Sequence, residues 1–412
     1  MEQGKMRLGT SRNPTGSFQF NRMELAGSLG DLGTLLPLAV GMVMVNALSP
    51  VGVFFCIGLF YLFSGAYFRV TCPVEPMKVI SGYAIATGIT ATQVQASCLW
   101  IFALLIVLGA TGLINVIGRS IPKAVIRGIQ LSTGILLVSQ GVRFILGTSS
   151  LQLLQESAEP HLVIQSIASL PIGIVLGVGL GLTTLLLLDN RRLPAAVVVV
   201  GAGIVIGMLF GTHSGWNAGQ SGISLPALFP YGQLTWADFS FALLVLVVPQ
   251  MPMTVGNAVI ANADLSAQYF PDSGQRVTYR GLCLSMALAS LVSFLFGGMP
   301  MCHGAGGLAS RYRFGARTAG SNLIIGGIFL GIALFFGEQI MPLVNMLPLA
   351  VLGVLLIFAG AQLALTILDM QTRKELFVVV LIVGITLAAN LAVGFITGIA
   401  VATLLRWERF SV

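Results

Sequence analysis

Apolar runs of about twenty residues, separated by short polar or basic turns, repeat along almost the whole chain. They cover 24–46, 50–68, 93–117, 122–142, 166–188, 194–211, 237–260, 280–297, 321–337, 348–367, 375–389 and 391–405. A helix needs about 20 mostly apolar residues to cross a bilayer, so each run predicts a transmembrane helix. Two further stretches are shorter and irregular. Val70–Ile89 carries TCPVEPMK at its start, and Gly298–Tyr312 begins GMPMCHGAGG. Proline cannot continue a helix from before it but suits the first turn. Val70–Val74 and Met299–Cys302 are therefore expected to be extended, with helices starting near Glu75–Met77 and His303–Gly307. Counting both as spans makes fourteen; twelve and thirteen are the neighbouring counts.

Composition identifies the solvent. Only 8% of the 412 residues are charged and 56% are hydrophobic, with a mean hydropathy of +0.94. A soluble domain carries about 25% charged residues, so lipid must surround most of this chain. A soluble enzyme, a nucleic-acid binder and a disordered chain are excluded. The net charge of +7 comes from basic residues that punctuate the apolar runs. With fourteen crossings and a cytoplasmic N-terminus, nineteen of the 21 basic residues fall inside, as the positive-inside rule requires. They are Lys5, Arg7, Arg12, Arg22, Arg69, Arg119, Lys123, Arg127, Arg191, Arg192, Arg276, Arg280, Arg311, Arg313, Arg317, Arg373, Lys374, Arg406 and Arg409. Arg143 falls outside and Lys78 within the membrane. Met1–Arg22 lack an apolar core and predict a cytoplasmic tail, not a cleavable signal. Residues 406–412 predict a second such tail, and 212–236 an extracytoplasmic loop. The expected location is a prokaryotic plasma (inner) membrane, multi-pass, with both termini cytoplasmic. The five cysteines form no CxxC pair and read as small apolar filler.

A shift of 226 residues superimposes the halves of the chain. Gly30-Asp31 falls on Gly256-Asn257, and Pro122-x-Ala124-Val125 on Pro348-x-Ala350-Val351; at a shift of 227, Pro73 falls on Pro300. Seven spans lie within each interval, so the second half is inverted. Inverted repeats with a midplane site between discontinuous helices are characteristic of secondary transporters. The predicted fold is thus an all-α polytopic membrane protein in a seven-plus-seven inverted repeat. Segments 3 and 10 are half-helices preceded by short extended stretches.

The half-helices concentrate the chemistry. Their N-termini expose backbone N–H groups and the positive end of a dipole toward the membrane centre, which suits an anion. Gly304, Ala305, Gly306 and Gly307 allow close approach of a ligand to the backbone. Lys78 lies three residues after Glu75, so it either attracts the anion or neutralises that carboxylate. Glu24 and Asp31 lie seven residues apart on one face of the first span. Glu24 sits either there or at the rim near Arg22, and Asp31 serves either transport or structure. His303 bonds the substrate, takes a proton or packs. His161 and His213 fall in outside loops. Gln250, Thr254 and Asn257 form one neutral helical face, either for ligand oxygens or for interhelical bonding. No nucleotide-binding loop, catalytic constellation, cofactor motif or metal set is present. The chain is read as a transporter and not an enzyme.

At GSLGDLGT, PVEPMK and PMCHGAGGLASRYRFGAR the sequence resembles the molybdate transporter family of the sulfate permease superfamily, over about residues 20–405. The resemblance implies a core domain (23–117 and 237–337), a gate domain (118–211 and 338–405), a homodimer, and oxyanion uptake between the half-helices. Candidate substrate contacts are then Thr34, Met77, Lys78, Gln250, Thr254, His303, Gly304, Ala305, Gly306 and Gly307. Asp31, Glu75 and Asn257 are assigned coupling or structural roles. Members of that family tend to carry Gln where this chain has Glu75. A carboxylate there repels a dianion unless it is protonated or paired, which makes Glu75 a candidate proton-coupling site with H+ as co-substrate. Sulfate shares molybdate's charge and shape and is the alternative substrate. A nucleobase permease is disfavoured because the eighth span has no carboxylate, and a channel because most spans are apolar on nearly every face.

Overall fold

The structure, a computed structural model, describes residues 18–114, 122–167, 169–188, 190, 193–212 and 223–407. Lys5, Arg7, Arg12, Arg119, Arg191, Arg192, Arg409 and His213 lie outside the described residues. The described elements are nearly all helical. They run α1 (Arg22–Ser28), α2 (Leu32–Asn46), α3 (Pro50–Phe68), β1 (Glu75–Pro76), α4 (Lys78–Thr87), α5 (Ala91–Thr111) and α6 (Lys123–Leu146). Then follow α7 (Ile172–Leu187), α8 (Ala195–Phe210), α9 (Trp236–Tyr269), α10 (Tyr279–Phe296), β2 (Met301–Cys302) and α11 (Ala305–Arg313). The last four are α12 (Gly320–Phe336), α13 (Leu349–Ala364), α14 (Arg373–Ala388) and α15 (Leu391–Leu404). Among the described residues, six helices are long and apolar enough to cross a membrane, or seven if α1 and α2, bent by 42°, form one span.

Two departures from the sequence pattern matter for function. The first apolar run is broken between Ser28 and Leu32, because α11 crosses there. A side chain at Gly30 would meet the Arg311 backbone at 2.9 Å. Glu24 and Asp31 consequently lie on different helices instead of one face. The second departure is in α9, which widens into π-helix at Ala242–Val247 and Thr254–Ala261. Pro249 and Pro252 remove donors from its ladder, and the wide turns re-phase the face downstream.

Helices pack in two groups. In one, α6 crosses α13 and is flanked by α7, α14 and α15; in the other, α3 pairs with α12 and α5 with α10. Helix α4 against α6, and α2 against α13, bridge them. The α6–α13 crossing is a glycine seam. A Cβ at Gly134 would lie 2.5 Å from the Gly360 carbonyl oxygen, and one at Gly353 2.6 Å from that of Gly141. Small residues let two backbones approach this closely. Strands β1 and β2 pair antiparallel, with Glu75 opposite Cys302 and Pro76 opposite Met301. The Met77 N–H donates to the Pro300 carbonyl at 2.9 Å. This ladder holds the starts of α4 and α11 together.

Helix α13 begins after Pro348 without a side-chain cap of its own. Buried Glu159, in the loop before α7, accepts from the N–H groups of Leu349 and Ala350 at 2.8 and 2.7 Å. Burial pushes its carboxyl up to about 7 from an ordinary 4.5, against the lowering effect of those two bonds. A carboxyl raised in the folded state binds its proton more tightly there than in the unfolded chain. The resulting stability is full below about pH 4.5 and is lost as pH rises through about 7. Thermal melts of the purified protein should therefore show Tm falling between about pH 4.5 and pH 7, and Glu159→Gln should flatten the fall. An unchanged slope in that variant would place the dependence elsewhere.

Candidate functional site

A cavity of about 490 Å3 lies where the two helix groups meet. It is lined among others by Gly33 and Thr34 of α2, Glu75 of β1, Lys78 of α4, Met253 and Asn257 of α9, and Gly306 and Gly307 of α11. Asp31, just before α2, also contributes. The sequence expectations converge here on Thr34, Lys78, Gly306, Gly307, Asp31, Glu75 and Asn257.

The two short helices start at this place, and neither carries a side-chain cap of its own. The first-turn N–H groups of such helices must find partners elsewhere. For α4 the partner is Gln250, whose Oε1 accepts from Val79 and Ile80 at 3.0 and 3.3 Å. Its Nε2 donates to Thr254 Oγ1 at 3.0 Å. Gln250 and Thr254 thus stand behind α4 and do not line the cavity. The face that does is Met253 and Asn257, at i and i+4, because π-helix begins at Thr254. The predicted single face of Gln250, Thr254 and Asn257 is split in two. Met77 is fully buried behind the cavity as well.

For α11 the neighbour is Glu75. A Cβ at Gly304 would overlap the Glu75 carboxylate, and one at Gly307 would lie 3.0 Å from it. The carboxylate therefore rests on the first turn of α11, where the dipole and exposed N–H groups favour negative charge. Lys78 Nζ lies 3.0 Å from Glu75 Oε2, and the Thr34 hydroxyl is a further neighbour. Glu75 is 1% exposed, while Lys78 retains 16%. An internal carboxylate, a helix N-terminus and a lysine thus form the arrangement a bound oxyanion would need, with the carboxylate in the anion's place.

His303 does not reach the cavity. It is fully buried, with Nδ1 2.7 Å from the Pro73 carbonyl and Nε2 2.8 Å from Ser285 Oγ. A carbonyl only accepts, so Nδ1 carries the proton and Nε2 accepts. Its ring packs against Phe60 and Phe68. Its backbone carbonyl accepts from Asn262 Nδ2 at 2.7 Å. These contacts make it a pin between the segment before β1 and the start of α11. Glu24 is buried and accepts from the backbone N–H groups of Arg317 and Thr318 at 3.0 and 2.9 Å. It supports the turn before α12.

Sequence reasoning missed Arg311, placed above among the cytoplasmic basic residues. It is fully buried, and its five donors are all engaged. Nε reaches Thr71 Oγ1 at 2.9 Å, Nη1 the Ser28 carbonyl and Asp31 Oδ1 at 3.2 Å each, and Nη2 Ser321 Oγ and Asn322 Oδ1 at 3.1 and 2.9 Å. Tyr61 donates to Asp31 Oδ2 at 2.7 Å, and the guanidinium lies over its ring. The cation serves the carbonyl end of α1 and the acid preceding α2 at once, closing the broken first span. The available signal was spacing: Arg311 follows Gly304 and buried Leu308 by seven and three residues, which puts it on the inner face of α11.

Residues 23–137 and 242–363 match the family model described as molybdate transporter of MFS superfamily. The chain is 30% identical over 413 residues to molybdate transporter 2 of Arabidopsis thaliana, covering 93% of this chain and 87% of that protein. Its fold is similar to the transmembrane domain of the cyanobacterial bicarbonate transporter BicA, with TM-score 0.63, 16% identity, and 92% and 96% of the two chains covered. It is also similar to murine Slc26a9, an anion transporter in the inward-facing state, with TM-score 0.66, 14% identity, and 94% and 69% covered.

Removing one partner of a buried ion pair costs about 3–5 kcal/mol, whereas replacing both by apolar groups is often neutral. Arg311→Met alone should lower thermal stability by that order, and Arg311→Met with Asp31→Leu should recover most of it. Equal losses in the single and double variants, read by thermal melts in detergent, would show that the pair is not the fastening of the first span.

Proposed function

The chain belongs to the molybdate transporter family, and on that premise we propose that it carries molybdate across the membrane as a proton-coupled secondary transporter working by alternating access. It is a polytopic membrane transporter and not an enzyme. The observation that carries the finer reading is the meeting of Lys78, Glu75 and the first turn of α11 in one cavity. A tetrahedral dianion at Gly306 and Gly307 would take hydrogen bonds from the backbone and charge from Lys78. It would also meet the Glu75 carboxylate, and two like charges cannot share that spot at low cost. Loading therefore requires Glu75 to take a proton. Lys78 then exchanges its internal partner for the substrate, and anion and proton travel together.

The architecture we propose is a seven-plus-seven inverted repeat with α4 and α11 as the half-helices. The β1–β2 pairing, at residues matched by the 226–227 shift, supports it, as does the start of α6 and α13 after matched prolines. The packing group around α6 and α13 would be the gate, and the group around α3, α5, α10 and α12, with α4, α9 and α11, the core. Movement of one against the other would open the cavity to alternate sides. We place both termini in the cytoplasm, the protein in the plasma membrane, and a homodimer as its assembly. Sulfate is the competing substrate, since no lining residue named here distinguishes two tetrahedral dianions.

Liposomes holding the purified protein should take up molybdate saturably, and faster with an inward proton gradient. Lys78→Ala should raise KM by about tenfold or more, as expected for a lost charge-assisted contact. Glu75→Gln should remove the dependence on the proton gradient. Uptake by Glu75→Gln that still follows the gradient would move coupling to another group, and transport of sulfate in place of molybdate would overturn the substrate.

A further inference from the structure

Asn257 lines the cavity with a half-buried side chain that makes no hydrogen bond among the described residues. Its amide is nonetheless closely placed. Nδ2 lies 3.4 Å from the point that a Cβ at Gly304 would occupy, and Glu75 Oε2 overlaps that same point. The amide and the carboxylate thus share the space over the start of α11.

The two halves of the chain treat this position differently. At the 226-residue shift Asn257 falls on Asp31, which is fastened by Tyr61 and Arg311. The positions matched to those two partners hold Ala287 and Ile85, both buried and apolar. Asn257 therefore has no fastening of that kind, and it stands in a π-helical stretch of α9 that faces the cavity. Such stretches often mark functional positions.

The neighbouring carboxyl has an unmet need. Glu75 Oε2 is buried and, apart from Lys78 at 3.0 Å, takes no hydrogen bond. In the proposed loading step Lys78 leaves it for the anion and a proton arrives. A protonated carboxyl carries an O–H donor, and a buried donor without an acceptor is costly. Of the charged and titratable groups around it, Lys78 only donates, and Asp31 is taken by Arg311 and Tyr61. Cys302, across the β1–β2 pair, offers a weakly accepting thiol. Arg313 also lines the cavity and only donates. A neutral amide supplies both functions, an acceptor at Oδ1 and donors at Nδ2.

We propose that Asn257 links proton to substrate: its Oδ1 accepts from protonated Glu75 while its Nδ2 donates to an oxygen of the bound oxyanion. This inference rests on the proton-coupled oxyanion reading of the site. The empty, ionised site leaves the amide idle, and the loaded site uses both of its ends, so the proton and the anion each favour the arrival of the other.

The test is molybdate uptake by the full-length protein in liposomes, with KM measured across pH. Asn257→Leu should raise KM about tenfold, the scale of one hydrogen bond to a charged group. It should also move the pH of half-maximal uptake about one unit toward acid, because the protonated carboxyl loses its acceptor. Asn257→Asp puts a second carboxylate beside Glu75. Uptake should be lost near pH 7.5 and regained in acid, more steeply with pH than in the wild type, since a protonated Asp again both donates and accepts; this variant serves if Asn257→Leu fails to fold. A fall in maximal rate alone, with KM and pH midpoint unaltered in both variants, would overturn the inference and leave Asn257 a packing residue. A midpoint that moves in Thr34→Val but not in Asn257→Leu would overturn it in favour of the other neutral group beside Glu75. Wild-type uptake that ignores pH would overturn the coupling reading, and this inference with it.

Discussion

Two helices begin in the middle of an apolar protein, and the groups left open at their first turns govern the rest of the site. Water does not reach a bilayer interior, so each backbone donor there needs a partner within the protein or from its ligand. The chain solves the two starts differently. Helix α4 is closed by Gln250 from the neighbouring α9, a neutral partner that stays in place. Helix α11 is faced by Glu75, an ionisable partner held by Lys78. In the proposed mechanism one start is structural and the other exchangeable, and the lining at α11, not at α4, meets the anion.

The start of α11 is held by a rigid surround. His303 ties the segment before β1 to the beginning of α11, and the β1–β2 ladder sets Glu75 opposite Cys302. Arg311, in the last turn of α11, fixes the break between α1 and α2 and with it the turn that carries Asp31 and Thr34. A buried ion pair adds little net stability over an apolar replacement. Its value here is geometric, since five directed donors define how three segments cross. The close approach at Gly30 leaves no room for a side chain, so the crossing has little freedom to slide.

Much of this was legible in the sequence, for a physical reason. Lipid imposes long apolar runs, and proline and glycine mark where those runs must break. The extended stretches before α4 and α11 and the convergence of Lys78, Glu75, Gly306 and Gly307 follow from that punctuation. What was hidden depended on helix phase and on charges inside the protein. The π-helical turns in α9 turned Gln250 and Thr254 away from the cavity, and no regular periodicity announces them. Arg311 reads as a loop cation in any count of basic residues, because its burial depends on an acid 280 residues earlier. His303 sits in the most distinctive motif of the chain yet serves packing, since both ring nitrogens have fixed partners.

The central claim is that the Glu75 carboxylate occupies the place of the transported anion. Anomalous scattering at the molybdenum edge from crystals soaked in molybdate at mildly acidic pH tests it directly. The predicted result is one strong peak at the first turn of α11, within hydrogen-bond reach of the Gly306 and Gly307 N–H groups and of Lys78 Nζ, with the Glu75 carboxylate turned away. A peak at another wall of the cavity alone, or one at α11 with the Glu75–Lys78 pair still closed, would contradict it.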